Sequence, residues 1–170
     1  MKTLALTVTL IALPFASIAA EPAETAASYV TQNVLPWASN PVLIEAILAQ
    51  NAAHAGMAQA RIDELDLQWR AETGDPGSAL IKSVLGTPAS AFLSEQIMAT
   101  GGTITEVFVM DNLGLNVAAS SVTSDYWQGD EEKFTETFPK GAGTMHIGDI
   151  DYDESTMTYQ IQVSIPMINP

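Results

Sequence analysis

The chain contains no cysteine. Disulfides, thiolate metal sites and cysteine nucleophiles are excluded, so stability in an oxidising compartment has to come from packing. Positive charge is nearly as scarce: 6 lysines and arginines stand against 20 aspartates and glutamates, a formal net charge of −14. Nucleic acids and anionic membrane surfaces attract cationic proteins, so neither is an expected partner. Solubility accounts for most of the acids, and a cationic or zwitterionic ligand is compatible with them. Beyond the first twenty residues no run is long and apolar enough to span a membrane. No G-x-S-x-G elbow is present, and the two histidines, His54 and His146, are far apart in sequence. Asp149, Asp151, Asp153 and Glu154 resemble the opening of a calcium loop, but Glu154 stands where the sharp turn needs glycine. No catalytic residue, metal ligand or cofactor is assigned, and an enzyme is not the expected class.

What is present starts with a leader. Lys2, the apolar run Leu4 to Ala16 and the small residues Ser17-Ile18-Ala19-Ala20 have the order of a secretory signal peptide over residues 1–20, cleaved near Ala19 or Ala20. The run is short for a spanning helix and holds Pro14, which argues against an uncleaved anchor. The expected address is the bacterial periplasm. Processing leaves five basic residues (Arg61, Arg70, Lys82, Lys133, Lys140) in about 150 residues, enough for one domain with a true core.

Residues 21–39 read as a lead-in, small and polar through Ala27, with a short helix from Ser28 to Leu35 ended by Pro36. Residues 40–170 read as a single domain. Asn40 is a good N-cap, Pro41 takes the first helical position, and the next break expected is Gly74. That predicts a helix of about 30 residues, or ~45 Å, with Ile47, Asn51, His54, Ala58, Ile62, Leu65 and Trp69 on one face. A helix so long runs along the edge of a domain or pairs with a partner, so a homodimer through it is one expectation. Gly74-Asp75-Pro76-Gly77 marks a turn; short helices follow over Ser78–Leu85 and from Thr87 to about Thr100. Strands are then predicted at Thr103–Asp111 and Leu115–Ser121, a short helix at Asp130–Phe138, and a second hairpin at Thr144–Tyr152 and Met157–Met167. In the last strand Met157, Tyr159, Ile161, Val163 and Ile165 alternate with polar residues, which predicts one face in the core. Helices first and antiparallel strands second give an α+β fold with one sheet.

The order of a long N-terminal helix, a strand ending FVMD, a D-x-x-G turn, a strand NVAASS and then TSDYWQGDE resembles the exported sensor modules called Cache (or PDC) domains, relatives of the PAS fold. IGDIDYDESTMTYQIQVSIPMINP is similar to the third and fourth strands of that family's sheet, so the resemblance covers roughly residues 40–170. It implies a single antiparallel sheet with a pocket-covering loop. It also implies a fifth, central strand that this sequence does not supply, so that the domain is expected to be truncated at its C-terminus, or else the N-terminal segment or another chain fills the gap. By the same resemblance the pocket lies between the sheet and the loop after its second strand, which places Ser120, Ser121, Thr123, Asp125, Tyr126, Trp127 and Asp130 near it. Aromatic walls beside carboxylates suit an amine or amino acid, by ion pairing and cation–π attraction. Asp130 alternatively caps the helix that follows, with Lys133 at its third position. Arg70 is a candidate for a ligand carboxylate; the amino-acid-sensing branch carries Arg-x-Trp, whereas the order here is Trp69-Arg70, and an arginine offsetting the helix dipole is the other role. The function so implied is an exported sensor of a small polar molecule, an amine, an amino acid or a carboxylate, acting through a partner such as a membrane receptor. The alternative is an interaction protein whose pocket is filled by its own side chains.

Overall fold

A computed structural model describes residues 22–153 and 158–168. The expected leader at 1–20, the tip of the second hairpin at 154–157 and the final residues 169–170 lie outside the described residues.

Three of the described helices begin where the sequence supplies side-chain caps. The Asn40 carboxamide oxygen accepts Val42 N–H at 3.0 Å and Pro41 follows, opening a helix at Pro41–Ala53. Ser78 and Thr87 do the same through Ile81 N–H and Ser90 N–H, opening helices at Ala79–Leu85 and Pro88–Ala99. Such caps satisfy amide groups that the first turn leaves without carbonyl partners.

The single long helix predicted from Asn40 to Gly74 is instead two, Pro41–Ala53 and Gln59–Glu72. Gly56 explains the break. His54 N–H closes the first helix on Gln50 O, and two residues later Gly56 takes φ +76°, a left-handed conformation that stops helices and that glycine adopts without strain. No 45 Å rod remains for a partner to pair with. The lead-in also differs from expectation. A helix at Pro22–Tyr29 passes into a wide π-type turn at Val30–Val34 and a 3-10 turn at Leu35–Ser39, and none of these residues is buried. The α-helices are numbered in order as α1 (Pro22–Tyr29), α2 (Pro41–Ala53), α3 (Gln59–Glu72), α4 (Ala79–Leu85), α5 (Pro88–Ala99) and α6 (Glu132–Thr135).

The fold is α+β, but the expected single sheet is two separate hairpins among the described residues. β1 (Phe108–Met110) pairs antiparallel with β2 (Asn116–Ala119), and β3 (His146–Asp153) pairs with β4 (Thr158–Ser164). The far edge of β2 is taken by the chain that returns after it: Leu115 bridges Trp127, Asn116 N–H reaches Tyr126 O at 3.0 Å and Gln128 N–H reaches Gly114 O at 2.8 Å. β2 is buried along its whole length. On one side Leu115 and Ala119 join Ile62, Leu65, Trp69, Ile81, Val84 and Tyr126; on the other Ala118 joins Leu43, Ala89 and Leu93.

The second hairpin departs from its pattern. The alternation in β4 predicts a face in the core, yet Tyr159 is 75% exposed, and Ile150 and Tyr152 on the facing strand are about half exposed. The register pairs Ile150 with Ile161 and Tyr152 with Tyr159, so the apolar face exists; no described layer covers its outer end.

Candidate functional site

The segment after β2 is held by one buried carboxylate that the sequence reading did not single out. Asp66, on the same buried face of α3 as Ile62, Leu65 and Trp69, accepts Tyr126 N–H at 2.9 Å and Trp127 N–H at 3.0 Å through one oxygen. Its other oxygen accepts Arg70 Nε at 2.8 Å. Arg70 also reaches Asp125 at 3.2 Å, and the hydrogen bond and charge of Asp66 push its pKa further above the ordinary arginine value. The arginine thereby ties α3 to the returning loop. Trp69 is fully buried, donates Nε1–H to Thr123 O at 2.8 Å and stacks on Tyr126 with ring centroids 5.4 Å apart. Burial and, second, the charge of Asp111 push the Tyr126 phenol up to about 12. The one sequence signal for Asp66 was an acid four residues before Arg70 on an otherwise apolar face.

Asp111 organises the turn between β1 and β2. One carboxylate oxygen accepts Leu113 N–H and Leu115 N–H at 2.9 and 3.0 Å; the other meets His54 Nδ1 at 2.7 Å and Gln50 Nε2 at 3.0 Å. Gly114 closes the turn with φ +84°, and a Cβ there would stand 2.4 Å from Gly129 Cα, so the D-x-x-G turn and the Q-G-D stretch fit only back to back. Trp127 covers that contact, donating its indole N–H to Leu113 O at 2.8 Å.

An open cleft of about 1520 Å³ lies between the two hairpins, bordered by α1, α2, β1, α6 and β4. Ile44, Ile47, Phe108, Val109, Phe134 and Ile161 are among its apolar walls. Asp130, Glu131, Glu132, Asp149 and Asp151 also line it, together with Lys133 and His146. Lys133 is already engaged: it contacts Gln128 Oε1 and Glu131 Oε2, each at 2.9 Å, and lies 5.5 Å from the centre of the Phe108 ring.

Of the eight residues expected near a ligand from the sequence, only Asp130 lines this cleft, and Ser121 donates to Glu106 Oε1 at 2.9 Å. It is exposed and stands outside α6, whose N-cap is Glu131, so the helix-cap role expected for it is not what it does. Ser120 accepts Val107 N–H at 3.1 Å. Thr123 is buried and bonds Asn116 and Asp125 O. Asp125, Tyr126, Trp127 and Arg70 form the tie to α3. The structure brings Thr123, Asp125, Tyr126, Trp127 and Arg70 together around Asp66 and leaves Ser120 against β1. Among the described residues no group of three or more histidines or carboxylates is placed to hold a metal ion. No described helix is long and apolar enough to cross a membrane.

Comparison of the chain with protein-family models, with curated proteins and with solved structures found no match.

Proposed function

We propose that this chain is an exported binding module that acts by holding a ligand in the cleft between its hairpins, with no catalysis of its own. The observation that carries the reading is the cleft itself, where apolar walls meet a rim of Asp130, Glu131 and Glu132. Such a lining suits a ligand with a cationic group and an apolar body, because the carboxylates give charge-assisted hydrogen bonds and the walls exclude water. Amines and amino acids are the first compounds to test. A Cache-like sensor working through a partner is the form of this reading that the resemblance of residues 40–170 supports, and the export signal rests on residues 1–20. Tyr126 and Trp127 enter it as the support that holds the Asp130 segment at the rim.

A thermal-shift panel of amines, amino acids and carboxylates tests the proposal, since ligand at 100 times its dissociation constant stabilises by about 2.7 kcal/mol. Asp130→Asn combined with Glu132→Gln should remove the shift without altering the unliganded melting point. A shift that survives this double substitution moves the site away from the rim. The second reading, an interaction protein, is favoured by the exposed Ile150, Tyr152 and Tyr159. Light scattering across a concentration series, looking for a dimer, separates the two.

A further inference from the structure

We propose that residues 22–39 are a lid over the cleft, closing on an amphiphile whose alkyl chain lies between lid and walls while its amine meets the acidic rim. This rests on the cleft being a binding site; it adds the ligand's class and the element that closes on it.

The segment has two faces, and the apolar one is turned to the cleft. Ala26, Tyr29, Val30, Val34 and Trp37 line the cleft and are half-buried. Glu24, Ser28, Thr31 and Gln32 do not line it and are exposed. Helical spacing puts the first set on one side and the second on the other. An apolar stripe so well sorted ordinarily packs against a core. Here no residue of it is buried, because the cleft and not a packed layer lies beside it. Ile44 and Ile47 of α2, Phe108 of β1 and Phe134 of α6 are among the remaining walls. Apolar surfaces of lid and body thus border one space, and a guest with apolar length takes both from water at once.

The segment is built to move as a unit. Among the described residues its side-chain hydrogen bonds all close within it: Thr31 to Ala27 O, Gln32 to Ser28, Asn33 to Tyr29 O and Ser39 to Pro36 O. Its joint with the body is Asn40, where the chain turns extended, with φ −68° and ψ 126°, before α2 begins. The π-type turn at Val30–Val34 and the 3-10 turn at Leu35–Ser39 precede that joint. Irregular turns of these kinds recur at hinges and functional sites.

Size and charge select the guest. The volume of about 1520 Å³ exceeds the ~300–1,000 Å³ of a small-molecule site, so a short amine leaves most of the walls wet. Asp130, Glu131 and Glu132 line the same cleft as Phe134, only a few residues along the chain, so an anionic rim adjoins an apolar wall. A long-chain amine satisfies both; a long-chain carboxylate meets the rim with the wrong sign.

The test uses the full chain, with decylamine as the probe below its micelle threshold and butylamine and decanoate as controls. Calorimetric titration should saturate at one decylamine per chain, with each control at least tenfold weaker. Amide exchange over residues 22–39 should slow at least tenfold when decylamine is added. Tyr29→Ser combined with Val34→Ser should weaken decylamine at least tenfold and leave the unliganded melting point unchanged, since neither residue is buried. Exchange over 22–39 that is equally fast with and without decylamine overturns the lid, as does equal binding by this double variant. Butylamine or decanoate binding as tightly as decylamine overturns the ligand class, and uptake without saturation overturns a defined site. If decylamine binds and the Asp130 and Glu132 double substitution abolishes it, yet residues 22–39 do not respond, the lid fails and the cleft reading survives. If no amine binds, both fail.

Discussion

The strands of the β1–β2 hairpin are 3 and 4 residues long, and those of the β3–β4 hairpin 8 and 7. The shorter hairpin is nonetheless the better buried. Every residue of β2 is covered, with α2, α4 and α5 packed against it and the 126–128 segment on its free edge. The longer hairpin has the stricter alternation but leaves Tyr152 and Tyr159 in water, touching each other edge to face at 5.2 Å. Strand length and alternation state what a strand could bury; the elements packed around it decide what it does bury. A two-stranded ribbon is marginal without a covering layer, so the second hairpin is where ligand or partner binding should alter stability most.

The difference can be broken from the buried side first. Trp69→Ala removes a fully buried ring together with its bond to Thr123 and should cost about 3–5 kcal/mol in urea unfolding. Asp66→Ala leaves two inward-facing amides without their acceptor and should cost about 3 kcal/mol. Asp66→Asn keeps an acceptor oxygen and should recover more than half of that loss; if the two variants unfold alike, the amide bonds are not what holds the loop.

Alkaline pH probes the same region. The Tyr126 phenol has an ordinary value of 10.0 and is pushed to about 12 in the folded chain, so the unfolded chain gives up its proton first. Stability is therefore unaffected by this group below pH 10 and falls as pH rises from 10 to about 12, by roughly 2–3 kcal/mol at the top. Tyr126→Phe should flatten that decline, as read from denaturation midpoints across the range. Gly114→Ala combines a left-handed φ with a backbone clash at Gly129 and should cost about 1–3 kcal/mol, with the loss of order confined to the two turns. The smallest effect belongs to the other hairpin. Tyr159→Thr should change stability by no more than about 0.5 kcal/mol. A loss above 2 kcal/mol would mean that its ring is covered in solution, and the contrast between the hairpins would disappear.

Much of the fold was legible because its signals are local. Asn40, Ser78 and Thr87 cap the helices they precede, and Asp111 and Gly114 make the turn that D-x-x-G announces. The missed break at Gly56 was local as well: a glycine in an otherwise good helical stretch is tolerated or decisive according to what lies beyond it. Here α2 is drawn toward Asp111 through Gln50 and His54, while α3 is drawn toward the loop at 125–127. The candidate site was less legible. Asp130 was named and lines the cleft; Asp66 was not named, since its partners are 60 and 61 residues away.

The sequence by itself determined the kinds of element, their caps and turns, the acidic charge, and the lack of any thiol chemistry, because each depends on residue type or on neighbours a few positions along the chain. Tertiary structure alone decided which carboxylate became the buried hinge of the loop, that the aromatic pair joined the core side of the molecule, and that residues of both hairpins line one cleft. Burial and edge exposure are set by contacts between distant segments. The same tyrosine is a core ring at position 126 and a solvent-facing one at position 159, according to what packs beside it.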